Sequence, residues 1–577
     1  MKRVPFFDNP VLQVSLPAWR AKLVLILLLL GALALLVRAL FLQGLSTEFL
    51  QQQGEQRYER TLVLPATRGK ILDRNGVVLA SSVPARAVWA IPEDARQAEP
   101  QQIQALADLL GMPATAISSR LDEHADRSFL YIRRQVPMDL AERIRELKIP
   151  GIHLQPETRR QYPEGETMAH VVGFTSIEDQ GQEAIELAFN DQLSGSPGSR
   201  RVIRDRLGRV IEDVRAVDPP VDGRDLRLSL DSRVQFQAYR ALADAMEEHK
   251  AAAASAVVLD AMTGEILALV NLPTFDPNRR ETFQGSQLRN RVLTDTFEPG
   301  STMKPFTAAL ALDLGRIGLN TQFDTGHGQF RYQGNVISDV SRNNGVLDVA
   351  GILRRSSNIG MTLISERLES REMWDRFTEL GLGQAPATGF PGAAAGRLRP
   401  WERWRLIEKA TMSYGYGLSA SLLQLARAYS VFARDGDMVS LSIVQRQSAP
   451  TSVQVFKPET ARAVRSMLEA AAGPDGAVRA QVQGYRVAGK SGTARKIVDG
   501  QYSMSRYRSS FVGFAPVSNP RIIVAVSIDE PNAGAYYGGR VAAPVFSSIV
   551  SGSLRILGVQ PDAPFESIVA ADKKEGA

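Results

Sequence analysis

Residues Leu23 to Val37 carry no charge and are almost all aliphatic, and the apolar run continues past Arg38 through Leu42. A bilayer core offers no water to backbone N–H and C=O groups, so a single span that enters it must satisfy them as a helix. About twenty residues suffice for the crossing. Ala32-Leu33-Ala34 has the small-residue spacing of a cleavage site, but the run outlasts a normal signal h-region and no polar segment precedes the tripeptide. The segment therefore reads as an uncleaved anchor over 21–42, with Arg38 placed to snorkel to the interface. Lys2, Arg3, Arg20 and Lys22 precede the run against a single acid, Asp8. The positive-inside rule then puts 1–20 in the cytoplasm and everything after about residue 43 outside.

A chain of 577 residues is too long for one ordinary core, so the exported body should hold two or more domains. Its 44% hydrophobic and 23% charged content is that of a globular protein. The net charge of +6 is dispersed and comes with no nucleic-acid-binding motif, which argues against a nucleic-acid partner. No cysteine is present, so disulfides, thiol chemistry and Cys-ligated metals are excluded. The five histidines are scattered without an H-x-x-x-H pair, and no G-x-S-x-G elbow occurs, so neither a zinc site nor a Ser-His-Asp triad is indicated.

Residues 43–60, rich in Gln and Glu, suggest a juxtamembrane helix. Arg68 to Leu79 combines a period-two apolar rhythm with Asn75-Gly76, a hairpin signal. Helical periodicity follows over 100–111 and 139–147. The stretch from Arg206 to Arg227 is charged and contains Pro219-Pro220, which places a boundary near 225 and divides the body into 43–225 and 226–577. The second part opens with apolar strands over 255–260 and 265–270 around the turn Ala261–Gly264, and further strands are expected at 511–514 and 522–526. Helical stretches over 301–314, 358–369, 402–409 and 421–434 lie between them. Strands at both ends enclosing helices point to an α+β domain with an antiparallel sheet built from distant segments. The charged end, Asp572 to Ala577, is expected to be disordered.

Three short segments carry chemistry. In Ser301-Thr302-Met303-Lys304 the lysine lies three residues after the serine, on the same helix face. Pro299-Gly300 breaks the chain ahead of it, and Pro305 is tolerated only near a helix start, so the helix must begin close to Ser301. There the backbone N–H groups favour developing negative charge. A buried Lys304 would have its pKa pushed down and could act as a neutral base toward the serine hydroxyl. Ser356-Ser357-Asn358 comes second, and Lys490-Ser491-Gly492-Thr493 third, after the edge-strand pattern of Tyr485 to Ala488. In the third segment Lys490 supplies charge, and Ser491 and Thr493 supply hydroxyls, suited to a carboxylate. Gly492 would let a substrate backbone lie close.

That ordered triple resembles the signature of penicillin-binding proteins and serine β-lactamases. The likeness extends over nearly the whole chain to the class B penicillin-binding proteins, most closely to their division-specific peptidoglycan D,D-transpeptidases. Arg68-Gly69 through Asp73-Arg74, Tyr162-Pro163, His170 to Gly173 and Gly181 to Glu186 resemble motifs of that class's non-catalytic pedestal. Glu298-Pro299-Gly300, Tyr414-Gly415-Tyr416-Gly417 and Tyr537 to Phe546 resemble its transpeptidase signatures. Two departures stand out: Ser491 replaces a frequent Thr, and Phe390-Pro391-Gly392-Ala393 lacks a frequent Glu, which puts that loop's hydrogen bonding in question.

The resemblance implies an α+β protein: one transmembrane helix, an elongated mainly-β/α pedestal with dimerisation-domain likeness, and a transpeptidase domain with a central antiparallel sheet flanked by helices. It implies Ser301 as nucleophile and Lys304 as base. Ser356 would relay a proton to the leaving amine, Asn358 would hold Lys304 and the substrate amide, and the N–H groups of Ser301 and Thr493 would form an oxyanion hole. The substrate would be the D-Ala-D-Ala end of a peptidoglycan stem peptide, cross-linked to a neighbouring amine, with β-lactams as mimics and no metal or organic cofactor. Implied partners are a SEDS glycosyltransferase, FtsW, and other division proteins at the inner membrane, with the catalytic domain periplasmic. Alternatives are an elongation-type transpeptidase, a hydrolysing carboxypeptidase or β-lactamase, and an inactive scaffold.

Overall fold

The computed structural model describes residues 17–45, 59–204 and 210–564. Most of the helix expected over 43–60, and all of the tail 572–577, lie outside these residues. Two units are distinguished by their internal packing. The smaller comprises the chain through Ala66 together with Ser196–Asp222. Its helix α1, Ala18–Leu40, buries none of its side chains, and a π-helical turn, Phe41–Leu45, follows. Among the described residues, Ala18–Gln43 is the one helix long and apolar enough to cross a membrane. Strands Glu59–Leu64, Gly198–Arg204 and Val210–Asp218 form a three-stranded antiparallel sheet in that order.

The larger unit begins with the expected hairpin, β1 (Ile71–Leu72) and β2 (Val78–Ala90). Asp73 closes its turn by accepting the N–H groups of Asn75 and Val77, both at 2.8 Å. Strands β3 (Leu130–Pro137) and β4 (Ile152–Gln161) flank β2 on either side. The helices Pro100–Leu110, Ala114–Glu123 and Met138–Glu146 bury Leu106, Ile117 and Ile144 against Val88 and Ile132. Beside this sheet the Glu186 carboxylate is fully buried between two arginines, accepting from Arg68 Nε and Arg160 Nε at 2.7 Å each. The short β5 (Leu226–Arg227) pairs parallel with β1. Helix α2 (Ser232–His249) then starts under Asp73, which accepts from Ser232 Oγ at 2.9 Å.

Strands β6 (Ala253–Asp260) and β7 (Ile266–Leu272) are followed by the helices α3 (Lys304–Asp313), α4 (Val349–Arg355), α5 (Asn358–Glu366) and α6 (Pro458–Ala471). The chain ends with β8 (Ala488–Val498), β9 (Gln501–Ala515), β10 (Ile522–Asp529) and α7 (Gly538–Ile556). The sheet order is β7-β6-β10-β9-β8, every neighbouring pair antiparallel.

This sheet is covered on both faces, which explains strands without polar alternation. Val258 and Val524 face α2 and α7 with Leu242, Phe546 and Ile549, whereas Val257 and Ile523 join the core of Met303, Phe306 and Leu423. Ile71, Tyr162 and Val171 belong to that same second core, so apolar packing runs continuously across position 225. The helices deviate from expectation mainly at their ends. The stretch 301–314 divides into a 3₁₀ turn and α3, 402–409 shifts to Leu406–Met412, and 421–434 breaks into Leu422–Ala428 and Ser430–Ala433. The strand expected from Tyr485 begins at Ala488.

Candidate active site

Ser301 sits in the 3₁₀ turn Gly300–Met303, which feeds directly into α3. Pro305, in the first turn of α3, has no N–H to lose, consistent with a helix start at Lys304. The turn is held from three sides. Thr302 Oγ1 donates to Pro299 O at 2.9 Å, the buried Tyr429 hydroxyl donates to Thr302 O at 2.8 Å, and Gly300 N donates to Gly415 O at 3.0 Å. Gly415 has φ +89°, and a Cβ there would stand 2.1 Å from Gly300 O, so no other residue fits beneath the turn.

α4 ends at Ser356, a non-glycine residue in the left-handed conformation (φ 56°, ψ 41°). That reversal turns both its carbonyl and its hydroxyl toward Lys304. Lys304 Nζ donates to Ser356 O at 2.5 Å and to Ser356 Oγ at 3.1 Å, and Ser356 Oγ lies 3.0 Å from Ser301 Oγ. Lysine and nucleophile candidate are thus joined through Ser356. Lys304 is fully buried, and burial pushes its pKa well below that of an ordinary lysine. The nearby Lys490 charge acts in the same direction, while Asp339 opposes it.

Asp339 was not singled out by the sequence, yet it organises this segment. Its carboxylate accepts from Ser357 Oγ (2.5 Å), Asn358 N (2.6 Å), Ile359 N (3.0 Å) and Asn344 Nδ2 (2.9 Å). Ser357 in turn caps α5 by accepting from Gly360 N at 2.9 Å. With the start of α5 pinned this way, Asn358 Nδ2 donates to Ser338 O at 3.0 Å. The expected bond from Asn358 to Lys304 is replaced by those to Ser356.

The third segment lies on β8, at the edge of the sheet, and packs against the Ser301 turn. At Gly492 the close approach that the structure shows is that of the chain itself. A Cβ there would meet Ser510 Oγ at 2.4 Å and Pro299 O at 2.9 Å, so the absent side chain makes room for the Ser301 turn itself. Lys490 is buried and its pKa is pushed down to about 8 by that burial. Thr493 Oγ1 accepts from Gly538 N at 2.9 Å, which leaves its own O–H to donate elsewhere.

Ser301, Ser356, Asn358, Lys490, Ser491 and Thr493 all line one cleft of about 520 Å³. Tyr416, Tyr507, Tyr536 and Tyr537 add an aromatic wall, in which the Tyr507 and Tyr536 rings stack at 4.1 Å. Glu298, just before the turn, accepts from Gly417 N at 2.8 Å and from the Tyr502 hydroxyl at 3.0 Å, and burial raises its pKa. The loop lacking a glutamate after Pro391-Gly392 is tied through its backbone, with Ala394 N donating to Leu293 O at 2.9 Å.

Comparison with known proteins agrees with this geometry. The penicillin-binding protein transpeptidase domain matches residues 254–551, and the penicillin-binding protein dimerisation domain matches 63–228. The probable peptidoglycan D,D-transpeptidase PenA of Neisseria gonorrhoeae is 44% identical over 534 residues, covering 92% of this chain and 91% of the relative. The peptidoglycan D,D-transpeptidase FtsI of Escherichia coli K12 is 40% identical over 564 residues, covering 97% and 94%. Among solved structures, the transpeptidase domain of Burkholderia pseudomallei penicillin-binding protein 3 is 53% identical with a TM-score of 0.54, covering 58% of this chain and 98% of that one. A peptidoglycan synthetase from Bifidobacterium adolescentis is 25% identical with a TM-score of 0.69, covering 88% and 98%. The chain belongs to the class B penicillin-binding proteins, the family of the peptidoglycan D,D-transpeptidases.

Proposed function

We propose that the chain cross-links peptidoglycan stem peptides through an acyl ester on Ser301, and that it does so at the division septum. The observation that carries this reading is the Lys304–Ser356–Ser301 hydrogen-bond chain at the wall of a cleft whose opposite side is the β8 edge. A lysine with a depressed pKa is available as a neutral base.

As Ser301 Oγ attacks the penultimate D-Ala carbonyl, its proton passes to Ser356 Oγ, and the Ser356 proton passes to Lys304 Nζ. The N–H groups of Ser301 and Thr493 bind the oxyanion. The C–N bond to the terminal D-Ala then breaks, and the departing amine takes the proton from Lys304 Nζ through Ser356 Oγ. An amine from a second stem peptide attacks the ester carbonyl, a new amide forms, the C–O bond breaks, and the proton lost by that amine returns to Ser301 Oγ. Lys490, with the Ser491 and Thr493 hydroxyls, receives the terminal carboxylate of the donor, and Asn358 contributes its amide to the donor backbone. Gly492 serves as the spacer that seats Ser301 against β8. β-Lactams acylate the same oxygen.

α1 fits a single-pass anchor in the inner membrane. The proposed topology has residues 1–20 in the cytoplasm, an anchor over 21–42, a pedestal over 43–225 and a periplasmic transpeptidase domain over 226–577. The septal role, and partnership with the SEDS glycosyltransferase FtsW and other divisome proteins, rest on the likeness to FtsI. Labelling with a fluorescent penicillin tests the chemistry: the native chain labels and Ser301→Ala does not, and a mutant that still labels would refute the nucleophile. Depletion in cells tests the role: filaments are expected, and round cells would point to elongation instead. Replacing the anchor by an unrelated transmembrane helix should stop division while penicillin labelling persists, if the anchor is a binding surface.

A further inference from the structure

α4 ends in Arg354-Arg355, and both exposed side chains line the Ser301 cleft. Arg354 faces Asp475 at 3.8 Å with both groups well solvated, an ion pair of little energetic weight. Among the described residues no carboxylate stands within ion-pair distance of Arg355. Cations suit a helix C-terminus, but that role requires neither a place in the cleft wall nor an open guanidinium.

Their place along the cleft assigns a side. β8 runs from Lys490 past Thr493 to Arg495, so Lys490 and Arg495 stand roughly 16 Å apart at about 3.3 Å per residue. The loop after α6 lies at the Lys490 end. Arg486, just ahead of β8, pairs with Glu469 of α6 at 2.6 Å, and Arg354 shares a cavity of about 490 Å³ with both. Asp475, Gly476 and Ala477 of that loop line the Ser301 cleft together with Arg354 and Arg355. If the donor's terminal carboxylate sits at Lys490, only the departing D-Ala occupies this end before acylation. After it leaves, the incoming amine must arrive there.

We propose that Arg354 and Arg355 form an anion subsite on the acceptor side of the cleft, recognising a free carboxylate of the amine-bearing peptide that attacks the acyl-enzyme. The inference rests on the reading of Ser301 as the acyl-transfer nucleophile. Two guanidinium forks against one exposed aspartate leave this end positively charged, and each fork is shaped to take a carboxylate through paired N–H donors.

The test uses the full-length chain in detergent, a thioester donor, and two synthetic acceptors. One is γ-glutamyl-lysine with its glutamyl carboxylate free; the other is the same dipeptide with that group amidated. The native chain should show a KM roughly ten-fold lower for the free carboxylate, the scale of one charge-assisted contact. In R354Q/R355Q that preference should collapse toward unity through KM rather than kcat, and R354K/R355K should restore part of it. Absence of a preference in the native chain, or a preference that survives R354Q/R355Q, overturns the subsite. Fluorescent-penicillin labelling of the same samples separates the two claims, because a native chain that does not label refutes the acyl-transfer reading itself. If R354Q/R355Q fails to fold, R355Q alone is read by the same ratio.

Discussion

The Asp339 carboxylate accepts the backbone N–H of Asn358 at 2.6 Å, and through that contact a residue remote in sequence sets the start of α5. The same carboxylate also takes the Ser357 hydroxyl and Ile359 N–H, so the whole Ser356–Asn358 turn hangs on one buried acid. Asp339→Ala strands these donors at a cost of about 2–4 kcal/mol. The expected result is a lower Tm and penicillin acylation slowed at least about ten-fold, since Ser356 loses its position between Lys304 and Ser301. Acylation unchanged by the substitution would show that the turn holds itself.

Ser356→Ala removes the middle member of the proposed proton path while leaving Lys304 and Ser301 in place. Acylation should fall by about 10²-fold or more, the scale of a general acid–base contribution. Stopped-flow measurement with a chromogenic cephalosporin checks it, with thermal melting near that of the native chain as the control.

Two buried lysines with depressed pKa values give the reaction a pH profile of definite shape. In the proposed reaction Lys304 must be neutral to take a proton, so acylation rises as pH increases through its lowered pKa. On the same proposal Lys490 must stay cationic to hold a carboxylate, so binding weakens as pH climbs past about 8. The second-order acylation constant should therefore trace a bell, and Lys490→Met should flatten its alkaline limb.

Glu186→Ala leaves the guanidiniums of Arg68 and Arg160 buried without their carboxylate. The expected loss is about 3–5 kcal/mol. Replacing all three residues together by apolar ones of similar volume should cost less, because no charge is then left unpaired. Melting curves of the two variants make the comparison.

Gly492→Ala places a methyl 2.9 Å from Pro299 O and 2.4 Å from Ser510 Oγ. Ser510 can rotate, but the Pro299 backbone cannot move without carrying Ser301 away from β8. The strain is about 1–3 kcal/mol. Its signature would be slower acylation out of proportion to the fall in Tm.

Legibility followed distance along the chain. Ser301 and Lys304 share one turn of backbone, so local geometry alone puts them on one face, and the Asn75-Gly76 hairpin and strands such as β6 are local in the same sense. Ser356 and Lys490 were assignable only through motif order and family likeness. Asp339 escaped both, since a lone acid beside a short strand has no spacing that ties it to Ser357. Asn358 was expected on Lys304, but the left-handed Ser356 takes that position, and a backbone conformation of that kind leaves no mark on residue type. Gly492 reads as a site of close approach, and the structure shows the protein's own Ser301 turn lying against it.

The central strand pairing sets Val257 against Ala525. Nearly the whole transpeptidase domain must therefore be present before β10 can slot between β6 and β9, and β8, which carries Lys490 and Thr493, depends on β9 for its strand pairing. Until those strands are in place, the chain holds Ser301 without the β8 wall of its cleft. On the proposed export topology the site is therefore assembled last, and Ser301 has no cleft to work in until β8 is seated.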